Sequence, residues 1–314
     1  MVGTAPTGTT DAPATSQVRA DFDGAAQTLT LLTGVPELGQ GIGDLLTAVA
    51  AAATSMEQDR IEVRCTSDPG GPSDLGMFGN RGATLTAAAA QDAIRGLERD
   101  IAAAHRASGS PHEPVQVLAG WRRIRRGELE FPVRPRTWSH SATAGRTDAG
   151  AGVAYGAALA EVEVDIATGI VSVLRVHAVH DVGKLLRPGG ALGQAEGGLV
   201  QAIGIALSER AAFDAAGTPD VRGFFSHLVP TMTVAPRLGV TWLEDAGDDI
   251  PLPKGLGENT VAAVPAAIAN AVRAATGAEV RAFPLSPPLV LDAIDAVRAS
   301  SPDIVTGPVM SHSS

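Results

Sequence analysis

Apolar positions along this chain recur with period two in some stretches and near three and a half in others, which predicts a succession of strands and helices. Val18 to Phe22 and Thr28 to Thr33 flank Asp23-Gly24, so a β-hairpin opens the fold. Helical spacing follows at about 43–55 and 84–107, with a strand, Ile61 to Thr66, and a Gly/Pro-rich loop, Asp68 to Gly82, between them. A loop-prone stretch, Ser139 to Gly152, separates the halves. Beyond it Ala160, Val162, Val164 and Ile166 alternate with Glu161, Glu163 and Asp165; Thr168-Gly169 turns, and Val171 to Val182 runs extended as a second hairpin. Leu192 to Arg210 and Ala262 to Ala275 have helical spacing, and Gly277 stops the latter. Ser286-Pro287 opens a last helix to about Ser300, with proline in the first turn. Gly193, Gly197, Gly198 and Gly204 each weaken the Leu192–Arg210 helix by up to about 1 kcal/mol relative to alanine, so they need a packing or ligand reason. No internal repeat is visible in the sequence.

These elements predict a mixed α/β fold (α+β in character) of two mixed-sheet subdomains with packed helices. The expected divisions are a disordered tail at 1–16, a first subdomain at 17–138, a linker loop at 139–152, a second subdomain at 153–300 and a disordered tail at 301–314. At 314 residues the chain can bury a substantial core, and with 4% aromatic residues that core is built from Ala, Val, Leu and Ile.

A net charge of −10 argues against a nucleic-acid partner, and the basic run Arg122, Arg123, Arg125 and Arg126 reads as a solvated or subunit-facing loop. No stretch approaches the roughly 18 apolar residues of a membrane span. The first sixteen residues do not read as a secretory signal, so the expected location is cytoplasmic. The lone Cys65 excludes an internal disulfide and a four-cysteine metal site. Its strand-like surroundings read as those of a buried structural thiol. Redox carriers would then sit on other chains.

The seven histidines form no close ligand set, and His177 and His180 fall on opposite faces of a strand, so no metal held by protein side chains is expected. Four glycine-flanked polar segments stand out instead: Glu37-Leu38-Gly39-Gln40-Gly41, Leu75 to Gly82, Gly193-Gln194-Ala195-Glu196-Gly197-Gly198 and Lys254-Gly255-Leu256-Gly257-Glu258. Glycine beside a polar residue lets backbone approach a ligand, and successive amides can cradle an anion.

In this order, together with Glu161 to Gly169, His180-Asp181-Val182-Gly183, Ala267 to Val272 and Phe283-Pro284-Leu285-Ser286, they resemble the molybdenum hydroxylases of the xanthine dehydrogenase and aldehyde oxidase family. The likeness runs from about Val18 to Ser300 and is to the second molybdopterin-binding domain, the C-terminal half of the large subunit. Met1 falls near the expected junction with the first half.

The resemblance implies a molybdenum–molybdopterin cofactor, often as the cytosine dinucleotide, and hydroxylation of an aldehyde or N-heterocycle such as a purine with water-derived oxygen. It implies Glu258 as the catalytic base, with Gly39, Gln40, Gly41, Gly79, Asn80, Arg81, Gly82, Ala83, Gln194 and Gly257 at the cofactor. It also implies partner chains carrying the first molybdopterin-binding half, iron–sulfur clusters and FAD. A helix N-terminus beside Glu258 would lower its pKa and burial would raise it, and burial is expected to dominate. Arg81 reads as a surface charge or a phosphate partner, while Asp181 and Glu196 read as structural. The chain departs from the family pattern at Ile42-Gly43-Asp44-Leu45, where a threonine is usual, at Arg187, where asparagine commonly precedes the proline, and at Asn259 after the glutamate. A non-catalytic half-subunit serving assembly or cofactor handover is the alternative, and a free-standing ligand-binding protein the third reading.

Overall fold

The computed structural model describes residues 2–5, 15–108, 137–145, 154–221, 223–245 and 252–300. The run at 122–126 and the tail at 301–314 lie outside these residues. Eight strands form two four-stranded sheets among the described residues. They are β1 (Val2–Ala5), β2 (Thr15–Asp23), β3 (Thr28–Thr33), β4 (Ile61–Cys65), β5 (Thr137–Gly145), β6 (Ala154–Val164), β7 (Val171–Gly183) and β8 (Arg237–Glu244). The helices are α1 (Ile42–Thr54), α2 (Ala87–Ala107, entered through a π turn at Gly82–Thr86), α3 (Pro188–Leu207), α4 (Asn259–Ala262), α5 (Val264–Thr276) and α6 (Pro287–Ser300).

Both predicted hairpins form, and each is closed by an aspartate. Asp23 accepts the N–H groups of Ala25 and Ala26 at 2.8 and 2.9 Å. Asp165 accepts that of Ala167 at 2.8 Å. Carboxylates favour such turns by supplying acceptors to amides that no strand partner reaches.

The strand order is β4-β3-β2-β5 in one sheet and β1-β6-β7-β8 in the other. Each has an antiparallel hairpin, β2–β3 or β6–β7, and then a helix, α1 or α3. A strand parallel to the hairpin's second strand follows, β4 or β8. A further helix then lies back on the sheet: α2 against β2 and β5, α5 against β6. The topology therefore contains a repeat that the sequence does not display, because equivalent layers need only the same pattern of burial, not the same residues.

Three expectations are corrected. Residues 2–5, placed in a disordered tail, pair antiparallel with β6, and β2 already starts at Thr15. Residues 139–145, assigned to a linker, belong to β5, which pairs with β2 along its length. This polar Ser/Thr-rich strand lacks the apolar signal of a central strand because it is an edge strand. Cys65 is exposed rather than buried, since β4 is the opposite edge and little covers its end. Burial and the charge of Glu37 nonetheless push its thiol up.

Each sheet has its own core. Phe22, Leu29, Leu31, Leu46, Ile94 and Leu97 fill the first. Val176, Leu199, Ile203, Ile268 and Val290 fill the second. Full burial of each such side chain contributes about 1.5–3 kcal/mol. Between α3 and β8 the chain carries Phe224, Phe225 and Met232, which are 80%, 105% and 91% exposed.

Candidate cofactor site

Equivalent loops of the two repeats converge on a cavity of about 310 Å³. The segment after β3 contributes Gln40, Gly41 and Asp44, and its counterpart after β7 contributes Lys184, Arg187, Gly190, Ala191 and Gln194. The loop after β4 contributes Gly79 to Ala83, and its counterpart after β8 contributes Pro253 to Glu258. Every residue placed at the cofactor from the sequence, apart from Gly39, lines this cavity. Gly39 sits between two lining residues, Leu38 and Gln40, and holds φ +93, which lets the loop turn under Gln40.

The loops after β4 and β8 are interlocked. The Glu258 carboxylate accepts the Gly79 N–H at 2.9 Å, while the Glu258 N–H donates to Asn80 Oδ1 at 2.8 Å. Asn80 sits at φ +58, a conformation asparagine tolerates better than most residues. A Cβ at Gly255 would come within 2.3 Å of the Asn80 carbonyl oxygen, so glycine is needed for the two backbones to meet. Asn80 Nδ2 is buried without a hydrogen-bond partner among the described residues.

Arg81 takes neither role expected of it. Its side chain is fully buried, paired with buried Asp74 at 2.6 Å, and it also donates to the carbonyls of Gly76 and Thr15. The guanidinium lies over the Phe78 ring, 5.3 Å from its centroid. Arg81 thus anchors the loop through a side chain that is itself fully enclosed. Lys254 is likewise committed: it grips both oxygens of Asp181, at 2.9 and 2.7 Å, which gives Asp181 the structural role read from the sequence. Burial opposes the Lys254 charge, and the Asp181 and Asp245 carboxylates outweigh it, holding the ammonium above its ordinary range.

Glu258 is exposed where α4 begins, and no other described residue covers the carboxylate. Behind it Asn259 is buried, donates to the Tyr155 carbonyl at 3.2 Å and fits only because Gly156 has no Cβ; one there would stand 2.5 Å from Asn259 Oδ1. His180, buried on β7, borders the same space, and burial pushes its imidazole below the usual histidine range. His177, three residues earlier, faces outward, as the strand periodicity requires.

Glu37 is the residue that sequence reasoning passed over. Its carboxylate accepts the N–H groups of Gly39, Gly41 and Gly43 at 2.9, 3.1 and 3.2 Å, holding the glycine loop and the start of α1 in shape. Its only sequence signal is position, two residues before the first of three alternate glycines. Burial raises its pKa, and the amides of Gly43, Gly41, Gly39 and Ile42 outweigh it, leaving the carboxyl below its usual range. Gln40 folds back on the same loop, accepting from Leu38 N–H and donating to the Pro36 carbonyl. Across the cavity, Arg187 Nη2 donates to Asp44 Oδ2 at 2.5 Å over 143 residues of sequence.

Comparison with known proteins identifies the family. The chain is 28% identical over 282 residues to the xanthine dehydrogenase molybdenum-binding subunit of Escherichia coli O157:H7, covering 83% of this chain and 37% of that one. It is 30% identical over 296 residues to the aldehyde oxidoreductase molybdenum-binding subunit PaoC of Escherichia coli (strain K12), covering 86% and 37%. The aldehyde oxidoreductase of Desulfovibrio gigas superposes with a TM-score of 0.71 at 25% identity, over 94% of this chain and 32% of that one. The chain thus spans little more than a third of the length of the curated relatives it matches. A model of the molybdopterin cofactor-binding domain matches residues 1–236, three quarters of the sequence, and the chain belongs to that family.

Proposed function

We propose that this chain is the C-terminal, molybdenum-cofactor-binding half-subunit of a multi-subunit hydroxylase that oxidises an aldehyde or an N-heterocycle such as a purine. The observation that carries the reading is the placement of Glu258. Its carboxylate stands at the wall of a cavity ringed by glycine loops, steered by the Gly79 amide and by Asn80.

The cavity fits a pterin-bound metal. It offers a buried Asn80 Nδ2 with no partner among the described residues, the Gln194 side chain, and the first-turn backbone of α3. Unmatched donors of this kind suit a ligand rich in oxygen and nitrogen acceptors. Gly79, Asn80, Gly82 and Ala83 would hold it on one side, with Gly257 beneath the base; Gln40 and Gln194 would hold it on the other. Arg81 would act through the loop it anchors, and Gly39 and Gly41 through the turn they permit. When bound, the molybdenum–molybdopterin supplies a two-electron acceptor and the means of delivering water-derived oxygen. The cytosine dinucleotide form belongs to this proposal.

Glu258 Oε1 or Oε2 takes the proton from the water-derived nucleophile. A carboxylate left exposed by this chain needs a cover to work as a base near neutral pH, because desolvation is what raises its proton affinity. That cover is the other molybdopterin-binding half, on a partner chain, with iron–sulfur and FAD chains taking the electrons. Phe224, Phe225 and Met232 provide apolar surface for such an assembly, which we place in the cytoplasm.

The test is Glu258→Gln in the assembled complex, with molybdenum content and turnover measured together. Loss of a general base costs about 10²–10⁴-fold, so turnover should fall at least that far while molybdenum content is retained. A loaded variant turning over within about tenfold of the parent would remove Glu258 from the role.

A further inference from the structure

The cavity wall carries four cations, and they differ in how far they are free to meet a ligand. Arg81 and Lys254 are held by acids that are buried or nearly so. Lys184 is paired with Glu244, which does not line the cavity. Arg187 is different. Its partner Asp44 also lines the cavity, and Asp44 is 66% exposed, so the pair spans the opening between the two repeats. An exposed pair of this kind holds weakly, and a ligand entering between its members competes directly with it.

The surroundings of Arg187 favour an anion. It is the residue before α3, a 20-residue helix whose first residue is Pro188. The N–H groups of Gly189 and Gly190 lie in that first turn, where the helix leaves amides without intrahelical acceptors. A Cβ at Gly189 would meet nothing within 4 Å, and one at Gly190 only Arg187 Cβ at 3.9 Å, so the approach is open. A guanidinium beside helix-start amides is the arrangement that matches phosphate oxygens. Asp44 has support of its own when Arg187 leaves, because it stands in the first turn of α1, where a negative charge is stabilised.

We infer that Arg187 is an anion-recognition residue of this cavity, occupied by Asp44 until a phosphate or pyrophosphate group displaces it. The inference rests on the cofactor reading above, which makes that group the phosphate of the pterin. It adds a recognition element built from two residues that face each other across the cavity.

The probe is inorganic pyrophosphate, titrated into the full-length chain at constant ionic strength and followed by calorimetry and by the thermal midpoint. The native chain should bind and be stabilised. Arg187→Gln should weaken binding by about tenfold or more, the loss expected for a charge-assisted hydrogen bond. Arg187→Lys should retain part of it. Asp44→Asn should do the opposite and tighten binding, because it removes the competitor. A salt bridge with a structural role alone predicts the same sign for Asp44→Asn and Arg187→Gln; that result, or a native chain indifferent to pyrophosphate, overturns the inference. Circular dichroism of each variant separates lost binding from lost fold, and the Lys variant preserves the test if the Gln variant is unfolded. In the assembled complex, Arg187→Gln should also lower molybdenum content. Full molybdenum content in that variant, alongside a Glu258→Gln variant that behaves as a base knockout, would sink the anion role and leave the cofactor reading standing.

Discussion

The two repeats share an order of elements, yet their loops meet the cavity in two different ways. The pair after β4 and β8 is locked: Arg81 and Asp74 are buried beneath it, and Asn80 and Gly255 touch backbone to backbone. The pair after β3 and β7 is looser. Glu37 props its glycine loop from an exposed position, and an exposed Asp44–Arg187 bridge closes the gap. A base must be held within fractions of an ångström, whereas a wall that admits a large cofactor must be able to open. The locked pair carries Glu258, the base proposed above, and the looser pair carries Gln40 and Gln194, proposed to hold the cofactor from the other side.

The strongest way to break this contrast is to attack the buried anchor. Arg81→Met strands the Asp74 carboxylate with no cation, which costs about 3–5 kcal/mol. Urea unfolding should show the loss, and Asp74→Leu added to Arg81→Met should recover part of it. A single variant within 1 kcal/mol of the parent would mean the loop is not anchored this way.

A smaller effect is expected at glycine. Gly255→Ala drives a Cβ into Asn80 backbone at 2.3 Å, and such overpacking costs about 1–3 kcal/mol. Gly193→Ala on α3 meets nothing within 4 Å, so in the chain alone it should be neutral or stabilising by up to about 1 kcal/mol. Equal destabilisation of both variants would erase the distinction between the two walls.

The smallest effect belongs to Glu37→Gln, which keeps acceptor geometry on one oxygen and removes the charge. The folded chain holds this carboxyl below its ordinary value, so its stabilisation is present above about pH 4.3, the unfolded value, and is lost as pH falls through the lower folded value. The stability difference between parent and variant should therefore be present at pH 6 and shrink toward zero in acid. A difference that does not change with pH would show that the loop is not held by the charge.

The hairpins, α1, α2 and the last two helices were legible because each is amphipathic or sharply punctuated: Asp23-Gly24, Asp165 with Gly169, Gly277, Ser286-Pro287. Other elements carried no such mark. β5 is a polar strand that reads as loop, and it exists because β2 supplies its hydrogen bonds. The loops that line the candidate cavity were legible as four glycine-flanked segments, but the burial of Arg81 was not. Nothing local distinguishes a buried arginine from a surface one when its partner, Asp74, lies in a loop seven residues away.

What the sequence by itself determined was local: where strands turn, where helices start and stop, and which loops contain glycine beside an amide or carboxylate. Periodicity and turn chemistry act over a few residues, so they can be read from a few residues. Tertiary structure alone decided that Glu258 receives the Gly79 amide across 179 residues, and that Asp44 and Arg187 face each other across 143. Those distances are closed by two sheets folding with the same topology and presenting equivalent loops to one cavity, an outcome of packing between layers that no local pattern encodes.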